Sequence, residues 1–100
     1  MEDKLHHHRK EIDQLDEQII ELLAKRMTIV RAVGKLKKQH GVKPLDEKRW
    51  QQVIEARIKT AEKLQLPRHF IISLYNLIHE YALELEYTFC HADEDQHPYR

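Results

Sequence analysis

The feature that most constrains the fold is a long segment with a helical pattern and no proline. Residues 2–42 lack Pro, and their apolar residues recur at spacings of three and four. The pattern predicts one helix of about 35 residues, about 50 Å long at 1.5 Å per residue. A globule of 100 residues has a radius of gyration of only about 13 Å, so we expect a second chain to cover part of the helix. The apolar positions are Leu5, Ile12, Leu15, Ile19, Leu22, Ile29, Val33 and Leu36.

The next segment separates the first helix from a second. Gly41 favours a helix C-terminal cap, and Pro44 disfavours helical geometry in the residue before it. Asp46 has the character of an N-cap, so we expect a second helix from there to just before Leu66 and Pro67. Its predicted buried side comprises Trp50, Val53, Ile54, Ile58, Ala61 and Leu64.

A third helix is predicted, because Pro67 suits a first helical turn and the apolar spacing resumes up to about Phe89. The sequence therefore predicts an all-α fold of three helices per chain, one long and two shorter, in a domain of residues 1–90. Residues 91–100 are polar and aperiodic, and we expect a C-terminal tail there. The apolar positions of the third helix are Phe70, Ile71, Leu74, Leu77, Ile78, Tyr81 and Leu85.

Composition excludes several classes of protein. Seventeen basic residues balance seventeen acidic residues, so no net field attracts nucleic acid or an anionic membrane. The longest apolar run, around residues 70–72, is far shorter than the roughly 18 residues that a membrane span needs. Cys90 is the only cysteine, which excludes an intrachain disulfide, and the polar start has no signal-peptide pattern. We expect a cytoplasmic protein with no nucleic-acid or membrane partner.

One charged residue interrupts the apolar stripe of the first helix. Arg26 occupies a position where the spacing predicts an apolar side chain. Burial of an unpaired guanidinium is costly, so Arg26 must pair with a carboxylate of the protein, bind an anionic ligand, or extend to solvent. Lys37 lies eleven positions later, within about 20° of the same face and about 16 Å along the axis. Ordinary surface exposure is the alternative for Lys37.

A third cation, Arg9, lies seventeen positions before Arg26, roughly 100° around the helix and about 25 Å away. It cannot reach the same small site within one straight helix. An antiparallel helix from a second chain would bring that chain's Arg9 beside Arg26 and Lys37, and symmetry would make two equal sites. The alternative is a solvated arginine.

Polar residues on the other two helices are further candidates. Asp46 and Arg49 are one turn apart, and Arg49 directly precedes Trp50. An N-cap with a local ion pair would explain Asp46 and Arg49 equally well. Glu86 follows Ala82 by four positions on a mainly apolar face, which is unusual for a carboxylate but harmless at a helix edge.

The sequence does not favour a metal centre or a covalent nucleophile. His6, His7 and His8 are consecutive, so on a helix they diverge by about 100° each and cannot all bind one ion. Glycine-rich phosphate loops and CxxC or HExxH pairs are absent, and nothing fixes Cys90 relative to His91. We expect no metal and no cofactor.

The order and spacing of several short motifs resemble those of the small helical chorismate mutases. The motifs are Arg9, LLAKRM with Arg26, VGKLK ending at Lys37, and DEKR with Asp46 and Arg49. The resemblance covers about residues 5–89 and rests on the whole set. It implies an intertwined helical homodimer in which the long helices pair and each active site takes one arginine from the other subunit.

The resemblance implies a role for each of these residues on a small dianionic substrate. Arg9 is similar to the arginine that the other subunit supplies. Arg26 and Arg49 match arginines that bind the two substrate carboxylates, and Lys37 matches a lysine that contacts the ether oxygen and a carboxylate. Asp46 matches an acidic residue near the ring hydroxyl.

The implied reaction is the pericyclic rearrangement of chorismate to prephenate, an isomerase step of the shikimate pathway towards aromatic amino acids. It needs no nucleophile, proton transfer, metal or cofactor. Cations that hold the enolpyruvyl arm over the ring favour the compact conformer, and Lys37 would stabilise negative charge developing on the ether oxygen.

Three positions depart from the pattern of the familiar bacterial members. Trp50 replaces a glutamate that contacts the ring hydroxyl, so hydroxyl recognition would rest on Asp46. Ala82 replaces a serine that helps to bind a carboxylate. Glu86 replaces a glutamine that donates to the ether oxygen, and only a protonated Glu86 could do the same. These changes keep isochorismate-pyruvate lyase and aminodeoxychorismate mutase open as related activities, with a non-catalytic helical dimerisation module as the alternative of another class.

Overall fold

The computed structural model describes residues 1–91. It contains three α-helices, α1 (Glu2–Gln39), α2 (Glu47–Lys63) and α3 (Arg68–His91). No strand occurs in this described part, so the predicted all-α fold with one long and two shorter helices is confirmed. No helix among these residues has the length and apolarity needed to cross a membrane. Apart from His91, the predicted tail at 91–100 lies outside the described residues.

The end of α1 and the start of α2 follow from local chemistry. Gly41 has a φ of +66°, the left-handed conformation that glycine adopts without strain, and it confirms the predicted end of α1. The N–H groups of His40 and Gly41 donate to carbonyls of the last turn. The Asp46 side chain accepts a 3.0 Å hydrogen bond from the backbone N–H of Arg49, which confirms Asp46 as the N-cap of α2.

The turn that follows α2 has a left-handed residue that is not a glycine. Gln65 takes a φ of +64°, in the left-handed region that side chains with a Cβ rarely adopt. The next N–H, of Leu66, donates back to the carbonyl of Ala61 at 2.9 Å. Leu64 is 67% exposed, so its predicted place on the buried side of α2 is wrong for the single chain. The physical reason is that α2 ends there, with Leu64 as its C-cap and the left-handed turn directly after it.

The central element is α3, which packs against both α1 and α2. Gly34 allows α1 and α3 to approach closely: a Cβ added at Gly34 would lie 3.1 Å from the Cα of Glu86 and 3.2 Å from the ring of Phe89. Few apolar side chains are buried among the residues that the structure describes. They are Met27, Val53, Ile58, Ala61, Ile71 and Ala82.

Most of the apolar stripe on α1 is exposed in the single chain. The side of α1 that α3 buries is displaced from the stripe, at Met27 and Gly34. The chain extends 59 Å along its longest axis and has a radius of gyration of 17.7 Å, against about 13 Å for a compact domain of this length. Within the described residues, the single chain therefore leaves most of this stripe exposed to solvent. The most exposed members, at 54–64%, are Ile12, Leu15, Ile19, Leu22, Ile29 and Leu36.

Candidate functional site

A cavity of about 200 Å³ lies where the three helices and the loop between α1 and α2 meet. Every candidate residue identified from the sequence lines it, apart from Arg9. Because these residues come from four separate segments, the fold assembles a set of side chains that are far apart in the sequence. They are Arg26, Lys37, Asp46, Arg49, Trp50, Ala82 and Glu86.

Arg26 carries an unsatisfied donor into this cavity. Its Nη1 atom is buried and has no hydrogen-bond partner among the described residues. A buried donor without a partner costs about 1–3 kcal/mol, and more when it is charged. No carboxylate of the described chain forms an ion pair with Arg26, so the structural ion pair considered from the sequence is not present there. Within the described residues, Nη1 of Arg26 is therefore open to an acceptor supplied by a ligand.

Lys37 and Glu86 form an ion pair that joins α1 to α3. The Nζ atom of Lys37 lies 2.7 Å from Oε1 of Glu86, and the two side chains are only 20% and 10% exposed. Lys37 also donates to the backbone carbonyl of Pro44, which ties the loop to α1. Oε1 of Glu86 accepts no directed hydrogen bond among the described residues, so the contact is electrostatic. A ligand atom with good geometry could take the place of either partner.

The pairing of Asp46 with Arg49 is a helix cap. The carboxylate of Asp46 accepts from the backbone N–H of Arg49, and no ion pair joins their side chains within the part that the structure describes. Arg49 is exposed and lines the cavity, so its guanidinium stays available to a ligand there.

His79 is a cavity residue that the sequence reasoning missed. Its ring stacks on Trp50 with centroids 3.9 Å apart and planes inclined by 10°. The signal was present, because His79 precedes Ala82 by three positions and Glu86 by seven, which places all three on one face of α3. A histidine on an apolar face usually serves in packing, and its spacing alone does not distinguish the two roles.

Burial lowers the pKa of His79 below its ordinary value of 6.5. The negative charge of Glu86 acts against this, and the positive charges of Arg26 and Lys37 add to it. The ring is therefore neutral at neutral pH, with one nitrogen that donates a hydrogen bond and one that accepts.

Arg9 lies outside the cavity. It is exposed in the first third of α1, and the helix continues without interruption from Glu2 to Gln39. Arg9 is thus about 25 Å from Arg26 along the axis. A single chain does not bring the two together, and a role for Arg9 in the site stays a prediction that depends on a second chain.

The arrangement has the chemistry of a site for a small anion. Arg26, Lys37 and Arg49 line the cavity together with the carboxylates of Asp46 and Glu86. One carboxylate caps a helix and the other is paired with Lys37, which leaves the charge of both arginines for a ligand. No group of His, Cys, Asp and Glu residues in the described part is arranged to hold a metal ion.

A comparison with protein families identifies the same region of the chain. The sequence model of the family described as chorismate mutase type II matches residues 8–87. The matched segment includes α2 entirely and most of α1 and α3. It contains every candidate site residue, Arg9 among them.

Similar curated proteins differ widely in length. The chain is 35% identical over 91 residues to the T-protein of Haemophilus influenzae, an alignment that covers 89% of this chain and 24% of the relative. It is 35% identical over 63 residues to the T-protein of Enterobacter agglomerans, covering 63% of the chain and 17% of the relative. It is 27% identical over 89 residues to the chorismate mutase of Methanocaldococcus jannaschii, covering 87% and 90%. The chain thus spans a quarter or less of the two T-proteins.

Proposed function

Because the chain belongs to the chorismate mutase type II family, we propose that it is an isomerase that converts chorismate to prephenate in aromatic amino acid biosynthesis. The observation that carries the proposal is the cavity in which the buried Nη1 of Arg26 has no partner among the described residues. A carboxylate of the substrate would satisfy that donor. A helical dimerisation module has no need of such a site.

In the proposed mechanism the two arginines of the cavity act by positioning. Arg26 and Arg49 each bind one carboxylate of chorismate, which fixes the enolpyruvyl arm relative to the ring. Holding the two reacting carbons together turns a rare conformer of the free substrate into the bound one, and such positioning lowers a barrier without covalent chemistry. Arg26 is the more deeply placed and binds through a planar fork that a lysine does not have.

Lys37 and Glu86 act on the ether oxygen whose bond breaks. Negative charge grows on that oxygen towards the transition state, and the Nζ of Lys37 stabilises it there. An ionised Glu86 would repel the oxygen. It would also neutralise the charge of Lys37, because its Oε1 lies 2.7 Å from the Nζ of Lys37. We therefore assign the active state to a protonated Glu86, which donates its proton to a hydrogen bond with the oxygen.

A homodimer completes the site in this proposal. Two features support it: the apolar stripe of α1 is exposed in the single chain, and an apolar groove of about 520 Å³ lies between α1 and α3. Leu23, Met27, Leu77 and Tyr81 line this groove. The α1 helix of a second subunit would cover both features, and with antiparallel pairing Arg9 of the partner subunit would reach the cavity.

We place the proposed enzyme in the cytoplasm, without a cofactor. The substrate is a small dianion. Because the formal net charge of the chain is zero, the positive charge that binds this dianion must come from residues of the cavity itself. The pericyclic step itself needs neither a metal nor a redox group.

The test is an assay with chorismate, isochorismate and the amino analogue of chorismate side by side, with products identified by chromatography. The wild-type chain is expected to convert chorismate to prephenate. Arg26→Ala should abolish this conversion, whereas Arg68→Ala, a matched change at an exposed arginine outside the cavity, should leave it intact. Pyruvate release from isochorismate, or turnover of the amino analogue alone, would assign one of the related activities. No turnover of any of the three would contradict an enzymatic function.

A further inference from the structure

The stack of Trp50 and His79 is an aromatic part of the cavity wall that has no role in the proposed mechanism. Trp50 is on α2, directly after Arg49, and His79 is on α3, three positions before Ala82. Their rings are nearly parallel at 3.9 Å, and both line the cavity. The stack therefore joins α2 to α3 and fixes the plane in which the imidazole nitrogens lie.

We propose that His79 is the specificity-determining residue that recognises the ring hydroxyl of the substrate, and that Trp50 is the positioning residue that holds its imidazole. The inference rests on the proposed function, because it takes the ligand to be chorismate. A hydroxyl group both donates and accepts hydrogen bonds. Trp50 offers only an N–H donor, whereas the unprotonated nitrogen of a neutral imidazole can accept a hydrogen bond from the hydroxyl.

Asp46, the hydroxyl partner expected from the sequence, already has a structural task. Its Oδ1 accepts the backbone N–H of Arg49 at 3.0 Å and caps α2. The residue is also exposed, whereas His79 is half-buried. A hydrogen bond that is shielded from water discriminates better between two ligands, because no water molecule takes the place of the missing ligand group. His79 is the better placed of the two to distinguish a substrate with the hydroxyl from one without it.

Burial and the surrounding charges keep one ring nitrogen of His79 unprotonated, so that it can accept a hydrogen bond. Glu86 and Glu80 on α3 favour the charged ring, and Arg26 and Lys37 on α1 oppose it, while Asp46 and Arg49 line the cavity from the side of α2. Burial makes the largest contribution, so the pKa of His79 lies below 6.5 and the ring is neutral at pH 7.5. Only when the pH falls through this lowered pKa does the ring gain a proton and lose its acceptor. Recognition of the hydroxyl should therefore weaken on the acid side only.

The experiment compares chorismate with the analogue that carries hydrogen in place of the ring hydroxyl. The variant His79→Phe keeps a flat ring on Trp50 and removes both nitrogens, and His69→Phe, at an exposed histidine of the same helix, is the control. His79→Phe should raise KM for chorismate about tenfold with a smaller change in kcat. It should leave KM for the deoxy analogue unchanged. As the pH is lowered from 7.5 through the lowered pKa of His79, KM for chorismate should rise in the wild type and stay level in His79→Phe.

The positioning role of Trp50 has its own variants. Trp50→Phe keeps an aromatic surface for the imidazole and should stay close to wild type in KM. Trp50→Leu removes the stack and should raise KM for chorismate but not for the deoxy analogue. Trp50 is the only tryptophan of the chain, so its fluorescence reports the stack directly. A protonated imidazole quenches indole emission, and the emission should fall as the pH is lowered through the pKa of His79 in the wild type but not in His79→Phe.

Two outcomes would overturn the inference. One is an unchanged KM for chorismate in His79→Phe, and the other is an equal loss with both substrates, which would mean that His79 only packs. Calorimetric titration with the same two ligands separates this result from a failure of the proposed function. If the wild type binds chorismate without converting it, the proposed activity is wrong, and the affinities of His79→Phe for the two ligands still decide the role of His79. If the wild type does not bind chorismate, both proposals are wrong.

Discussion

The two halves of α1 have different surroundings. Every residue from 1 to 22 is exposed, whereas buried or partly buried residues recur from Leu23 to Lys38. The C-terminal half packs on α3 and carries Arg26 and Lys37 into the cavity. The N-terminal half is just as apolar along its stripe, yet its own chain leaves it uncovered. An exposed apolar stripe costs solubility and contributes no stability, which supports the proposal that the N-terminal half pairs with a second subunit.

The largest effect is expected at the exposed half. Leu15→Glu places a charge in the middle of the stripe, and in a dimer this charge would be buried without a partner, at a cost of about 3–5 kcal/mol per site. We expect the variant to lose its dimer and most of its activity at micromolar concentration, as measured by sedimentation and by chorismate turnover. Gln14→Glu, which puts the same residue beside the stripe, is the control. A Leu15→Glu dimer with wild-type kcat would show that the stripe is not an interface.

In the cavity half, Lys37→Ala should slow the reaction without affecting assembly. Loss of one contact that strengthens in the transition state typically costs about 3–4 kcal/mol, or 10²–10³ in rate. The expected result is a fall of that size in kcat with an unchanged sedimentation coefficient. Lys25→Ala, at an exposed lysine of the same helix, should behave as wild type. Equal effects of the two substitutions would remove Lys37 from the mechanism.

Gly34→Ala tests the close packing of α1 against α3, which occurs in the C-terminal half of α1 but not in its exposed N-terminal half. Helix propensity alone predicts stabilisation by about 1 kcal/mol. The added Cβ would lie 3.1 Å from the Cα of Glu86, and overpacking of this kind costs about 1–3 kcal/mol. We expect a net loss of unfolding free energy and a fall in kcat, because α3 must shift with Glu86. A more stable variant with full activity would mean that the contact is not tight.

A smaller effect is expected from Glu86→Gln, which gives the cavity a permanent N–H donor. A carboxylate has no proton to donate to the ether oxygen, whereas the amide N–H of Glu86→Gln donates at every pH, so the variant should keep its activity at higher pH. The measurement is a pair of pH profiles of kcat. Glu84→Gln, at an exposed glutamate of the same helix, should follow the wild type. Superimposable profiles for Glu86→Gln and wild type would remove Glu86 from contact with the reacting oxygen.

Much of this architecture could be predicted from the sequence, for reasons that are local. Three helices follow from apolar spacing, and their limits follow from Gly41, Asp46 and Pro67, each of which has a conformational preference that does not depend on the rest of the fold. The cavity residues on α1 could be grouped because Arg26 and Lys37 fall on one face of one helix. Asp46, Arg49 and Glu86 were candidates from their positions on the other elements, and the resemblance supplied their roles.

Other features depend on contacts that a pattern does not contain. Gln65 takes a left-handed conformation without being a glycine, so the sequence does not predict this turn. The stack of His79 on Trp50 joins two helices whose relative rotation is set only by packing. Periodicity identifies an apolar stripe on α1 but not which chain covers it, and so the exposure of residues such as Leu15 appears only in the folded chain.

The measurement that most directly tests the shared site is complementation between two inactive chains. Arg9→Ala and Arg26→Ala are each expected to be inactive alone, since every site of either homodimer lacks one arginine. After subunit exchange, each heterodimer would hold one site with both arginines, and random mixing should restore about a quarter of wild-type activity. Exchange is verified with differently tagged chains. No recovery in proven heterodimers, or full activity of Arg9→Ala alone, would contradict a site built from two subunits.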